Sequence, residues 1–262
     1  MLMEPNPELV SDVLRGDRAR RPRRDDTTAA GLRALLEDHV FAVFGARRAT
    51  NAVTISSATL NSSGDRDERT FSPLSRARGV LVSTAFRLLV AQVHVSDPYD
   101  EAVSAWRSEH PHDGLLDTLT HLDDDQRARL RAEVASHVTT LTRTLGTIPS
   151  SWRPRTSQRV RQSFAGASVY LTDVIDLVVG STHLDVANVA LLDITTSPLG
   201  PGSERAMRYH ALMQTLRSSV VPLRTSILSS ATGELWTLDV DHGLLIRAVE
   251  DVATVLAQWR PS

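Results

Sequence analysis

Apolar residues recur at helical spacing through much of the first 150 residues. Helices are predicted from Gly31 to Phe44 and from about Leu74 to Val93, and a third follows the capping residues of "SDPYDEAVSAW". Pro111 and Gly114 then interrupt the chain before a short helical turn. The clearest helix is "DDDQRARLRAEVASHVTTLTRTLG", which has acids at its start and an apolar stripe at Leu130, Val134, Val138, Leu141 and Leu145. This half of the chain is predicted to be mainly helical, with "NAVTISSATLNSSGDRDERTFSP" as a surface connection.

The pattern changes after "GTIPSSWRPRTSQ". Alternating and β-branched residues predict two strands in "RVRQSFAGASVYLTDVIDLVVG" and a third in "VALLDITTS". A helix in "GSERAMRYHALMQTLRSS", a hairpin turning at Thr232-Gly233 and a final helix in "HGLLIRAVEDVATVLAQW" complete a β-β-β-α-β-β-α order. We therefore expect an α+β fold with a flexible arginine-rich leader at residues 1–30, a helical region at 31–150 and a mixed sheet flanked by helices at 151–262.

Composition limits the class of protein. The chain is 41% apolar, contains no cysteine and has no apolar run near the roughly 18 residues of a membrane span. The first residues lack the apolar stretch of a signal peptide, so we expect a soluble, cytoplasmic protein without membrane contact. All 29 basic residues are arginines. A GC-rich genome or selection against lysine modification would each explain this, and either way lysine catalysis is excluded.

Charge limits how nucleic acid could bind. The net charge is −2, so contact with DNA or RNA would have to be local. One basic cluster stands in the leader, where it could grip phosphates or simply be solvated, since Asp17, Asp25 and Asp26 dilute its field. Its members are Arg15, Arg18, Arg20, Arg21, Arg23 and Arg24.

Two aspartates occupy apolar strand positions. Asp176 follows Val174 and Ile175, and Asp193 follows "VALL" in the next strand. A carboxylate in such surroundings is costly unless a cation or a hydrogen-bond donor meets it. Neighbouring strands would bring the two acids together as ligands of Mg²⁺ or Mn²⁺. The alternative is that each faces solvent or accepts a backbone hydrogen bond.

Residues 152–257 resemble the PD-(D/E)XK nuclease superfamily, specifically its RecB-like branch. "TDVIDLVVG" matches the strand that carries the first aspartate, Asp176, and "LLDITT" matches the strand that carries the second, Asp193. "RYHALMQTLRSS" stands in the place of the family's next helix, with Tyr209 and Gln214 at the Q-x-x-x-Y-like pattern. The resemblance implies a restriction-endonuclease-like sheet, a Mg²⁺ or Mn²⁺ site at the two aspartates, and DNA or RNA as partner.

The resemblance extends weakly upstream. RecB-like nucleases carry an R-G-x-x-x-H segment whose histidine is a further metal ligand. "RGVLVSTAF" retains Arg78 and Gly79 but has Ser83 at the histidine position. A serine hydroxyl is a poor ligand for a transition metal, although it could hold a metal-bound water.

Thr195 departs from the family pattern, which places a lysine there. That cation orients the attacking water and stabilises charge at phosphorus, and threonine offers only a dipole. Loss of one such group typically costs about 100- to 1000-fold in rate. Arg205 and Arg208, at the start of the next helix, could supply the charge but no base, or they could lie on a solvated face, paired with Glu204.

Other candidate residues predict no separate chemistry. "HPHD" at residues 110–113 is interpreted as a loop, and His137 as a half-buried core residue. No G-x-S-x-G, G-x-x-x-x-G-K or G-x-G-x-x-G motif is present, so a hydrolase elbow and nucleotide hydrolysis have no support.

Three functions follow from these residues. The favoured hypothesis is a catalytically degenerate, nuclease-like protein that binds nucleic acid or a partner protein. The second is an active Mg²⁺- or Mn²⁺-dependent DNA nuclease in which an arginine replaces the lysine. The third is a non-enzymatic adaptor that meets partners through its helical half. The sequence does not determine the strand type, the protein partner or the oligomeric state.

Overall fold

The computed structural model describes residues 26–45, 52–62, 72–182 and 189–259. Eight α-helices are described: α1 (Asp26–Phe44), α2 (Ser57–Ser62), α3 (Pro73–Val90), α4 (Pro98–Glu109), α5 (Gly114–Thr120), α6 (Asp124–Leu145), α7 (Pro201–Ser218) and α8 (His242–Gln258). Six strands are described: β1 (Val53–Ile55), β2 (Arg155–Phe164), β3 (Val169–Val179), β4 (Ala190–Thr195), β5 (Arg224–Ser229) and β6 (Leu235–Asp239). The α+β prediction is confirmed, including the β-β-β-α-β-β-α order after residue 150.

The strands form one mixed sheet in the order β1-β3-β4-β5-β6, and β2 also pairs with β3. β2 and β3 are antiparallel over nearly their whole length, from Arg155 opposite Val178 to Phe164 opposite Val169. β4 is antiparallel to β3 and parallel to β5, which forms the predicted hairpin with β6. β1 is parallel to β3.

The pairing registers leave a gap on one edge of β3. Because β2 covers the other edge, β1 and β4 must share this one: β1 pairs with residues 169–171 and β4 with residues 177–179. Residues 172–176 therefore have no partner strand on this edge in the described part of the chain. We call this stretch the β3 gap, and it holds the candidate site.

The sheet separates two hydrophobic cores. Helices α3 to α6 pack with Leu177 and Val179 on one side, while α1, α2, α7 and α8 pack with Val169 and Leu171 on the other. Leu171 and Leu177 are an even number of positions apart, so a regular strand would place them on the same face. The β2–β3 pairing skips Ser157, at φ +49°, and Asp176. The register is the same on both sides of this unpaired position, but the alternation reverses there, since Leu177 packs on the opposite face from Leu171.

The predicted surface connection after α1 was wrong at two places. It contains β1 and α2, and Ile55 and Leu60 are fully buried against α7 and α8. Three residues of strand give too weak a periodic signal to be seen in sequence, and β1 forms because it completes the sheet edge.

The predicted leader falls largely outside the described residues, as do its six arginines. The division at residue 150 stays a prediction, although packing crosses it, since α1 contacts α7 and α8. Within the described parts of the chain, each helix is too short or too polar to cross a bilayer.

A candidate cation site at the floor of an arginine-lined cleft

Asp176 lies in the β3 gap, half-buried, with its carboxylate between β4 and α3. The hydroxyl of Ser83 on α3 donates to Oδ1 at 3.1 Å. The backbone N–H of Ile194 on β4 donates to Oδ2 at 2.9 Å. A side chain thus occupies the position where the main chain of β3 would otherwise meet β4, and the two strands part around it.

Asp193 lies beside Asp176 and remains partly accessible, with 20% of its side chain exposed. Burial and the neighbouring charge of Asp193 raise the pKa of Asp176 well above its ordinary value. A carboxylate whose ionisation is opposed by burial and by a second carboxylate forms with it a site that a divalent cation would stabilise. The sequence prediction that these two aspartates converge agrees with this placement.

His210 of α7 contacts both Asp193 and the buried Asp173. Its Nδ1 lies 2.7 Å from Oδ2 of Asp173, and its Nε2 lies 3.4 Å from Oδ2 of Asp193. Burial opposes a charge on the ring, but the two carboxylates outweigh it and raise the pKa of His210 well above its ordinary value. A positive charge therefore lies behind Asp193, on the side of the sheet that faces α7.

Sequence reasoning missed both His210 and Asp173. A signal was available, because Asp173 alternates with Val169, Leu171 and Ile175, all of which are buried. A carboxylate in a buried register requires a donor or cation. The sequence gives no sign of which residue supplies it, since His210 lies 37 positions away.

The two aspartates lie at the floor of a cleft of about 770 Å³ between the sheet and helices α3 and α4. Arg76 and Arg159 line it, are exposed, and form no ion pair with another described residue. Arg87 lines the same cleft but is paired with Glu109 at 2.8 Å. Positive charge with no acidic partner thus borders a pair of acids, an arrangement suited to a phosphate chain above a bound cation.

A second hollow of about 500 Å³ continues the cleft along β2 and β3. Arg159 and Val174 line both spaces, and 48% of Val174 is exposed. Beyond them the guanidinium of Arg161 lies over the ring of Tyr170, 3.9 Å from its centroid. Arg159 thus borders both spaces, and Arg161 lines the second.

Thr195 lines the cleft but brings no charge to it. Its hydroxyl accepts a hydrogen bond from the backbone N–H of Ser197 at 3.1 Å. Its carbonyl accepts another from the hydroxyl of Ser230 at 2.8 Å. These contacts hold the end of β4 in place without replacing a cation.

The two arginines suggested as substitutes for lysine lie elsewhere. Arg208 is paired with Glu204 at 2.6 Å and with Asp251 at 2.9 Å. Arg205 is not among the residues that line the cleft, and its Nε is buried without a hydrogen-bond partner. Neither lines the cleft that holds the paired aspartates.

Tyr209 and Gln214 brace the framework on the α7 side of the sheet. The hydroxyl of Tyr209 lies 2.9 Å from the carbonyl of Ile55 and 3.1 Å from that of Thr172, which closes the lower end of the β3 gap. Burial raises the pKa of this hydroxyl. Gln214 accepts a 2.6 Å hydrogen bond from Gln158 on β2.

The upstream segment contributes in part. Ser83 contacts Asp176, as described, and Gly79 lines the cleft one helical turn earlier. Arg78 points elsewhere and is paired with Glu133 at 3.1 Å.

The donor set suits a hard cation. Among the described residues, no group of three or more His, Cys, Asp or Glu side chains is arranged to hold a metal. Asp176 and Asp193 would therefore leave most ligand positions to water and to ligand oxygens. Mg²⁺ commonly binds in this way, through one or two carboxylates, retained waters and substrate phosphates.

Comparison with known proteins yields distant similarity alone. No family model matches the sequence, and no curated protein matches it. The crystal structure of SSO0001 is 9% identical with a TM-score of 0.32, over 85% of this chain and 84% of that one. Rai1 from Scheffersomyces stipitis is 11% identical with a TM-score of 0.25, over 91% and 69%. A second Rai1 structure, with (3'-NADP)+ and a calcium ion, has a TM-score of 0.24. Similarity at this level assigns neither a family nor an activity.

Proposed function

We propose that this chain is a nuclease-like protein of the PD-(D/E)XK, RecB-like type that binds nucleic acid across a divalent cation held by Asp176 and Asp193. The observation that carries the proposal is the convergence of these two acids at the floor of a cleft lined by Arg76 and Arg159. A cation at the acids and guanidinium groups above them would together neutralise a run of backbone phosphates.

Cleavage is expected to be weak or absent. The acids could hold Mg²⁺ or Mn²⁺ against a phosphate, but the position expected to activate water carries Thr195. The charge of His210 lies behind Asp193, and its ring is 1% exposed, so it is not available to an attacking water. A missing preorganised charge costs about 100- to 1000-fold.

Mn²⁺- and Mg²⁺-dependent binding and cleavage of labelled single- and double-stranded DNA and RNA would test this function. The native chain should bind in the presence of either cation and cut little. Asp193→Ala should lose the cation-dependent part of the affinity. Thr195→Lys should gain cleavage, because the cleft already holds the two acids and the variant places a cation at the position where the family pattern has lysine.

The control is Arg129→Gln, which removes an exposed arginine of α6 outside the cleft. It should bind and cut as the native chain does. Absence of nucleic-acid binding with either cation, at low salt, would overturn the proposal and favour the adaptor function.

One observation favours an active nuclease as a second candidate. Arg159 lines the same cleft as Asp176 and has no acidic partner among the described residues, so it could stabilise charge at a phosphate in place of lysine. Robust cleavage by the native chain that is lost in both Asp193→Ala and Arg159→Gln would establish this candidate instead.

A further inference from the structure

A buried chain of three side chains leads from the interior to the cation site. Asp173 on β3 has none of its side chain exposed, and its Oδ2 lies 2.7 Å from Nδ1 of His210. Nε2 on the other side of the same ring lies 3.4 Å from Oδ2 of Asp193. Of the three side chains, only that of Asp193 reaches the cleft, with 20% exposed.

This arrangement restricts the imidazole at both ends. A hydrogen bond to Asp173 fixes the tilt of the ring and requires a proton on Nδ1, because a carboxylate only accepts. Asp173 itself is committed to His210, since its other oxygen, Oδ1, is buried without a hydrogen-bond partner. The ring orientation that results leaves Nε2 3.4 Å from one oxygen of Asp193, an ion-pair contact, and Nε2 has no hydrogen-bond partner among the described residues.

Asp193 needs such a restraint. Asp176 is already fixed by Ser83 and Ile194. Among the described residues, no hydrogen bond reaches the Asp193 side chain from α3 or from the backbone of a neighbouring strand. A partly exposed carboxylate beside another carboxylate would otherwise turn away from it. Contact with His210 opposes that rotation and leaves the second oxygen of Asp193 available to a ligand.

We propose that His210 is a positioning residue, which bridges Asp173 to Asp193 and holds the Asp193 carboxylate ready to bind a divalent cation. The inference rests on the cation site of the proposed function. His210 itself touches neither cation nor nucleic acid and acts through Asp193. Residues that hold a metal ligand in its binding orientation commonly contribute about 10- to 100-fold to metal affinity.

Mn²⁺ affinity of the full chain tests the bridge, with free Mn²⁺ followed by electron paramagnetic resonance at fixed pH. His210→Gln and Asp173→Asn should each weaken Mn²⁺ binding by about 10- to 100-fold. The double variant should lose no more than His210→Gln alone, because both residues act through a single bridge. Asp173→Asn also serves if His210→Gln fails to fold.

Leu212→Ala provides the control for general damage to α7, since Leu212 is buried on the same helix and outside the bridge. It should lower the free energy of unfolding while leaving Mn²⁺ affinity unchanged. If the native chain binds Mn²⁺ and the His210 and Asp173 variants bind it equally well, or if Leu212→Ala weakens binding as much, the bridge is overturned. If the native chain binds no Mn²⁺, the proposed cation site fails and the bridge with it.

Discussion

The backbone N–H of Ile194 donates a 2.9 Å hydrogen bond to the side chain of Asp176. A carboxylate of β3, rather than its main chain, meets β4 at this point. The ladder between the strands, which pairs Leu177 with Leu192, does not continue to Asp176 and Asp193. One side chain thereby ends a strand pairing and opens the space in which the paired acids face a cleft.

Asp176→Asn should stabilise the fold when no divalent cation is bound. The pKa of Asp176 is raised in the folded state, so its contribution to stability is present below the ordinary value of 3.8 and is lost as pH rises above it. Asparagine is never ionised, so the variant should have a higher free energy of unfolding than the native chain above neutral pH.

Urea unfolding of the Asp176→Asn and native chains in EDTA measures this difference. Added Mg²⁺ should then stabilise the native chain and not the variant, because only the native site binds it. An asparagine variant that is less stable than the native chain in EDTA would show that repulsion between the two acids is not a significant cost.

Arg76→Gln and Arg159→Gln should each reduce nucleic-acid affinity and its dependence on salt. Each arginine that neutralises a phosphate releases condensed counterions, so its loss should lower the slope of log affinity against log salt by about 1. Titrations at several salt concentrations give the slope. The exposed Arg129→Gln variant should keep the native slope, and equal slopes in all four proteins would place the phosphates elsewhere.

His137→Gln should flatten the pH dependence of stability on the acid side. His137 is buried beside the hydroxyl of Ser230, 2.9 Å from its Nδ1, and burial lowers the pKa of His137 below 6.5. The unfolded chain therefore takes up the proton first, so stability is complete above pH 6.5 and falls as pH decreases below it.

Urea midpoints of the native and His137→Gln chains between pH 7.5 and pH 5 give the comparison, with these values set by the unperturbed pKa of about 6.5. Glutamine keeps a hydrogen-bonding group but does not titrate. Identical slopes in the two proteins would show that His137 titrates alike in the folded and unfolded chains.

Tyr209→Phe should destabilise the fold by about 1–3 kcal/mol, the usual cost of buried polar groups left without a donor. The hydroxyl of Tyr209 lies within hydrogen-bonding distance of the carbonyls of Ile55 and Thr172, both at the edge of the β3 gap. Urea unfolding measures the loss. Tyr170→Phe is the matched control, because that ring lies under Arg161 and not in the gap, and it should change stability less. A larger loss in the control would contradict this role.

The sequence alone determined most of the elements, β1 and α2 excepted, and placed the two acids on neighbouring strands. Helical spacing identified α6, and the strand order brought Asp176 and Asp193 onto neighbouring antiparallel strands, because a strand, a turn and a returning strand place nearby positions side by side. Local periodicity needs no long-range information. The absence of charge at Thr195 was equally visible, since it depends on residue type alone.

The tertiary structure alone decided which charges reach the site. Arg208, close to the site in sequence, is turned away by Asp251, 43 positions along the chain, while His210 on the same helix is directed inward by Asp173. Arg159 reaches the cleft from β2, and β1 closes the sheet edge from a segment without a clear pattern. A buried charge is costly unless a group of opposite charge lies beside it. Tertiary packing decides which residue lies close enough, and that packing depends on the whole chain.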